Sequence, residues 1–205
     1  MPFALKLREL LSFRENLLPG EFAKGDTLES VLDGYLRDIE MAGDADMRTS
    51  ILLLDGTTLH HGAAPRLPKA YRDAVDGSQI GPTAGSCGTA AFLGQPIYVS
   101  DIANDPLWEN YRDLALPHGL RACWSTPIRN EQGTLLGTFA IYNIRPLEVV
   151  KEEIESIRMI TEHVARAIMW YRGSDYEADP AGGSEAGSDA SPARPHLRLV
   201  SDSDG

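Results

Sequence analysis

The sequence predicts an α+β fold built on a largely antiparallel sheet, and three features carry that expectation. Apolar residues recur at helical spacing toward both ends of the chain. At least five runs of strand character lie between them, and turn signals join two pairs of these runs directly as hairpins.

The first element is "FALKLRELLSFRENLL", whose leucines share one helical face; its expected partner is the last helix of the same chain or of a second copy. Asp26 reads as an N-cap with Glu29 three residues on, after which Leu28, Val31, Leu32, Tyr35, Leu36 and Ile39 form one stripe. "RTSILLLDG" and "TLHHGAA" read as strands joined by the Asp55-Gly56 turn, the strongest short hairpin signal. "PKAYRDAVDG" and "CGTAAFLG" read as short helices, each closed by a glycine. "PIYVSDI" is a strand, and "PLWENYRDLALPHG" a helix opened by proline. "RACWSTPIRN" and "LLGTFAIYN" form a second hairpin around Glu131-Gln132-Gly133.

The last element is a long helix. Leu147, Val150, Ile154, Ile157, Thr161, Val164, Ile168 and Tyr171 repeat at spacings of three and four, a pattern that calls for a partner helix. Ile160 and Ala167 widen the stripe, so the helix is expected to face its own sheet and a second subunit together, giving a homodimer through terminal helices. The predicted organisation is an N-terminal helix and linker over 1–25, one domain over 26–172, and a disordered acidic tail over 173–205. Gly, Ser, Ala, Pro and Asp dominate that tail, which holds seven acids and two arginines and too little apolar surface to order itself. Its "RPHLRLV" island could add to a partner as a strand or helix.

Composition narrows the function. With 205 residues, 42% of them hydrophobic, the chain can bury one good core. A net charge of −11 opposes binding to nucleic acid or an anionic membrane. The charged N-terminal stretch is not a signal peptide, no segment approaches a membrane span, and a cytoplasmic protein is expected. The two cysteines have no CxxC spacing, so free thiols are expected rather than a zinc site or disulfide framework. His60 and His61, adjacent in a strand, point to opposite faces, and His118, His163 and His196 have no ligand spacing; no metal or other cofactor is expected.

Three stretches then carry a resemblance. "LPKAYRDAVDG", "IGPTAGSCGTAAFLGQPIYVSDIANDPLWENYRDLALPHGLRACWSTPI" and "GTLLGTFAIY" resemble the GAF modules of bacterial sensor histidine kinases and cyclic-di-GMP signalling proteins, over about 28–168. The resemblance implies a sheet with terminal helices on one face and short helices and loops over a small-ligand pocket on the other. It implies a sensor that signals through its helices. No kinase, cyclase or DNA-binding segment is recognised after the long helix, so the output is expected in a separate sensor kinase or response regulator. The signatures of the cyclic-GMP-binding and bilin-binding members are not seen.

The candidate ligand-binding set is Ser86, Cys87, Gly88, Tyr98, Trp108, Tyr111, Arg112, Arg121 and Cys123. Residues 84–91 open a helix, whose free N–H groups can receive an anion or a small polar molecule. Trp108, Tyr111 and Arg112 lie at helical spacing on one face, as a pocket wall or as filled core, and Asp101 or Asp105 could neutralise Arg112. Strand alternation separates Cys123 from Trp124: Ala122, Trp124 and Thr126 are expected toward the terminal helices, and Arg121, Cys123 and Ser125 toward the lid.

Cys87 admits a second reading. It matches the Gly-x-Cys-Gly stretch of free methionine-R-sulfoxide reductases, which are also GAF proteins, and the first turn of a helix favours a thiolate. Those enzymes need a further cysteine that "DIANDPLWENYRD" lacks, and Cys123 does not match it. A non-enzymatic sensor is therefore the leading expectation, ahead of a thiol-based redox protein and a ligand-free dimerisation adaptor. A Cys87–Cys123 disulfide would need Cα atoms within about 7 Å.

Overall fold

The structure, a computed structural model, describes residues 6–14, 26–43 and 45–177. Helix α1 occupies 6–14, α2 Leu28–Ala42, α3 Lys69–Val75, α4 Gly85–Leu93, α5 Arg112–Ala115 and α6 Lys151–Glu177. The strands are β1 Arg48–Asp55, β2 Thr58–Ala63, β3 Ser78–Gln79, β4 Ile97–Val99, β5 Ala122–Arg129 and β6 Leu135–Asn143. They form one six-stranded sheet in the order β3-β2-β1-β6-β5-β4, and each of the five pairings is antiparallel. The α+β fold with an antiparallel sheet is as the sequence predicts; β3, only two residues long, has no period to detect.

The β1–β2 hairpin closes Asp55 onto Thr58. Gly56 there has φ +58°, left-handed backbone that glycine adopts without Cβ strain. Helix α2 starts one residue later than expected: Thr27, not Asp26, is its N-cap, the threonine hydroxyl accepting from Ser30 N at 3.2 Å.

A larger departure falls on "PLWENYRDLALPHG", which is not one helix. It breaks into a 3₁₀ turn at Pro106–Trp108, the four-residue α5, and a second 3₁₀ turn at Leu116–His118. Tyr111, at φ −121° and ψ −12°, leaves the helical region, and Pro117 has no N–H to extend α5. Helix α6 starts after Leu147 and Val150, the Glu153 carboxylate accepting from Val150 N at 2.9 Å, and continues through Gly173 to Glu177. It thus enters the segment expected to be tail, the remainder of which, with "RPHLRLV", lies outside the described residues.

The sheet separates two cores. On one face Leu32, Leu36 and Ile39 of α2, Ile160, Val164 and Ile168 of α6, and Leu7 and Leu11 of α1 close over Ile51, Trp124, Ile128, Phe139 and Ile141. Most of the α6 seam is therefore consumed within its own chain. Arg14 adds a tie between α1 and α2, pairing with Asp38 at 2.6 Å and lying 5.5 Å over the Tyr35 ring. On the opposite face, α3, α4 and the broken segment cover Leu52, Leu59, Val99, Cys123, Ala140 and Tyr142.

Candidate functional site

Helix α4 begins where ordinary side chains would not fit well. Gly85 sits at φ +61°, and a Cβ on Gly88 would meet that of Ala84 at 2.6 Å. The small residues let α4 sink onto β5 and β6, and all of Gly85 to Ala91 is buried. Ser86 fixes the contact: its hydroxyl donates to Cys123 O at 3.0 Å and accepts from Trp108 Nε1 at 3.0 Å. One hydroxyl thereby joins α4, β5 and the segment after β4.

A small hollow remains beside this junction. Its walls are Leu52 and Leu59 of the first hairpin, Tyr71 and Val75 of α3, Ser78, residues 84–88, Trp108, Tyr111, and Tyr142 of β6. Its free volume is about 30 Å³, room for one or two water-sized groups. Amino acids and nucleotides exceed this unless the lid opens. The wall is mostly apolar and includes no lysine or arginine, so the polar contacts available to a ligand are N–H groups at the start of α4, hydroxyls and the Cys87 thiol.

The polar atoms below α4 form a cluster. Cys87 Sγ lies 3.8 Å from Tyr142 Oη, and the Tyr142 ring meets that of Tyr71 edge-on at 5.8 Å. Cys123, directly opposite Tyr142 in the β5–β6 register, interacts through its thiol with Cys87. The polar groups around the thiol, Cys123 first and then the nearby hydroxyls of Ser125, Tyr142 and Thr138, together outweigh burial and lower the Cys87 pKa to about 7. Burial, followed by the neighbouring Cys87, pushes Cys123 well up. Burial likewise raises Tyr71 and Tyr142 well above the usual phenol range.

Of the residues expected from sequence, Ser86, Cys87, Gly88, Trp108 and Tyr111 line the hollow, and Cys123 lies beneath α4 on the same face. Three do not. Tyr98 pairs with Trp124 in the β4–β5 register, so strand alternation puts it against the helix-side core. Arg112 donates to Asp105 O at 3.1 Å; the Asp105 carboxylate caps the turn through Leu107 N at 2.8 Å instead of pairing with the guanidinium. Arg121 donates to the carbonyls of Leu116 and Leu120, both at 3.0 Å. Alternation in β5 is as expected, with Cys123 on the lid side and Trp124 on the helix side.

Leu52, Leu59, Tyr71, Val75, Ser78 and Tyr142 also line the hollow, yet the sequence did not single them out. Tyr142 was not within reach: pairing outward from the Asn130–Thr134 turn would set Ile141 opposite Cys123, and the register shift between Ile128 and Arg129 brings Tyr142 there instead. His60 and His61 approach different carboxylates, Asp76 at 3.6 Å and Glu29 at 3.7 Å. Among the described residues no group of three or more His, Cys, Asp or Glu could hold a metal ion, and no helix is long and apolar enough to cross a membrane.

Comparison with known proteins gives the site its setting. Residues 27–168 match the family model described as the GAF domain. The chain is 34% identical over 158 residues to a methyl sulfide methyltransferase-associated sensor from Methanosarcina acetivorans; the match covers 75% of this chain and 15% of that protein. A domain assigned to a two-component sensor histidine kinase protein from Sinorhizobium meliloti 1021 superposes with a TM-score of 0.62 at 26% identity, covering 75% of this chain and 99% of that one. Free methionine-R-sulfoxide reductase from Neisseria meningitidis, solved with its substrate, superposes with a TM-score of 0.66 at 16% identity, covering 85% and 95%. At that identity the reductase shares the fold, which leaves activity open.

Proposed function

The chain belongs to the GAF domain family, and from that premise we propose that it is a non-enzymatic cytoplasmic sensor, in which a small polar or anionic ligand under α4 biases the packing of the terminal helices. The observation that carries this reading is the two-sided course of β5. Cys123 sits beneath α4, while its neighbour Trp124 faces the helices and donates from Nε1 to Leu147 O at 3.2 Å, just before α6 begins. A ligand that moves α4 on β5 therefore acts on the strand that anchors the start of α6. It shifts the helices only by its difference in affinity for their two arrangements.

Relatives support the reading: one is named a sensor, and a structural neighbour is assigned to a sensor kinase. The partner is a separate kinase or response regulator, and a homodimer presents the helices to it. With most of the α6 seam used internally, the surface left for the dimer is the exposed apolar set Ile154, Met169 and Trp170, with Phe13 of α1. Light scattering at micromolar concentration is expected to report a dimer; a strict monomer overturns that part.

The central test is a thermal-shift screen against nitrate, other small oxyanions, amino acids and nucleotides. A species of a few heavy atoms is expected to raise Tm by mass action, and larger molecules are not. If no compound shifts Tm, the adaptor reading replaces this one. Incubation with free methionine sulfoxide and a thiol reductant is expected to give no turnover, and turnover lost in Cys87→Ser would establish an enzyme.

A further inference from the structure

Two buried hydroxyls under α4 lack partners. Ser125 Oγ and Thr138 Oγ1 make no hydrogen bond, although their residues are fully buried. Leaving such a donor unsatisfied costs about 1–3 kcal/mol, so its persistence calls for a reason. Both hydroxyls are within reach of Cys87, where they favour its ionised form, as does Tyr142 Oη at 3.8 Å. A thiolate at Cys87 is the acceptor that would satisfy them. Cys87 is also the third residue of the nine-residue α4, where unpaired N–H groups and the helix dipole favour negative charge.

The second thiol is set up differently. Cys123 faces Cys87 and is held in the protonated state by burial, while the Ser86 bond to its carbonyl keeps α4 and β5 in register. One site thus holds a poised nucleophile, a protonated neighbour able to trap its product, and a hollow of about 30 Å³ that reaches the nucleophile. Hydrogen peroxide, with two oxygen atoms, is of the size this hollow admits.

We propose that Cys87 and Cys123 form an oxidant-responsive dithiol, in which Cys87 attacks hydrogen peroxide in the hollow and Cys123 converts the product to an intrachain disulfide. The Cys87 thiolate bonds one peroxide oxygen as the O–O bond breaks, and the departing hydroxide takes up a proton to become water. Cys123 then gives up its proton, and its sulfur attacks the sulfenic sulfur of Cys87. The S–S bond forms, the S–O bond breaks, and the hydroxide leaves as a second water. Two thiols lose two electrons in all, and one peroxide is reduced to two waters. This chemistry is independent of the sensing proposal, because it needs neither a bound ligand nor a dimer.

The test treats the full chain with stoichiometric hydrogen peroxide, blocks remaining thiols under denaturing conditions, and maps peptides by mass spectrometry. The native chain is expected to yield a Cys87–Cys123 linked peptide pair within one chain. Cys123→Ala is expected to retain a sulfenic acid on Cys87 that a dimedone-type reagent traps, whereas Cys87→Ala leaves Cys123 open to alkylation. The oxidation rate of Cys87 in the native chain is expected to rise with pH through about 7, at lower pH than in the urea-unfolded chain. Tyr142→Phe should move that midpoint upward. A native midpoint no lower than the unfolded one, disulfides formed only between chains, or equal oxidation of Cys123 with and without Cys87 would each overturn the assignment; the first needs no variant.

Discussion

The two faces of the sheet bury their residues to different ends. On the helix side, large aliphatic and aromatic groups from α1, α2 and α6 fill the space over Ile51, Trp124, Phe139 and Ile141. On the lid side, the same central strands carry Cys123, Ser125, Thr138 and Tyr142 under a helix of small residues, with a hollow left over. Strand alternation makes this possible, since neighbours in β5 and β6 belong to opposite faces. The contrast teaches that large apolar groups fill the helix side while thiols and hydroxyls gather on the lid side, with the strands as their common element.

The strongest attempt to break this contrast is Phe139→Ala. Phe139 is fully buried on the helix side, and its truncation is expected to cost about 3–5 kcal/mol of unfolding free energy in urea titration. At temperatures where the variant stays folded, Cys87 should keep its alkylation rate. Equal damage to stability and thiol reactivity would mean the two faces are not separable.

On the lid side the expected stability costs are smaller and the chemical ones larger. Gly85→Ala forces left-handed backbone on a residue with a Cβ, at a cost of about 1–2 kcal/mol. Trp108→Phe removes the bond to Ser86 Oγ and should cost about 1 kcal/mol, while speeding exchange of the α4 amides. A loss as large as that of Phe139→Ala would place a main share of stability on the lid.

Glu40 sharpens the comparison from the helix side, where a buried carboxylate interrupts apolar packing. It accepts from Thr49 N at 2.7 Å and from Thr49 Oγ1 at 2.9 Å, yet burial raises its pKa. A raised carboxyl pKa favours folding fully below the unfolded value near 4.5 and loses that contribution as pH climbs through the folded value. Glu40→Gln keeps an acceptor without the charge, so its Tm relative to the native chain should improve as pH rises through that window. The smallest effect belongs to exposed Arg158 on α6, which pairs with Glu155 and Glu162; Arg158→Ala should leave Tm unchanged in moderate salt.

Legibility from sequence followed the range of the interactions. The Asp55-Gly56 hairpin and the sides taken by Cys123 and Trp124 could be read because turn chemistry and alternation are local. The break at Tyr111 could not, since Trp108, Tyr111 and Ala115 keep helical spacing while tertiary contacts, such as Trp108 to Ser86, decide the backbone. The facing of Tyr98 is not legible either, because a three-residue strand fixes it only through its pairing with Trp124. The bonds of Arg112 and Arg121 in the chain are not legible, because their acceptors, backbone carbonyls, carry no sequence signal. Tyr71 reaches the site from α3, far away in sequence.

The central claim is that events in the lid-side hollow reach the helices through β5. Cys87→Met, which fills the hollow with a longer unbranched side chain, tests it by amide hydrogen exchange of the full chain against the native protein. The account predicts altered protection in α6, between Ile157 and Ile168, together with the change in α4. Altered protection confined to α3 and α4, with α6 exchanging as before, would contradict it.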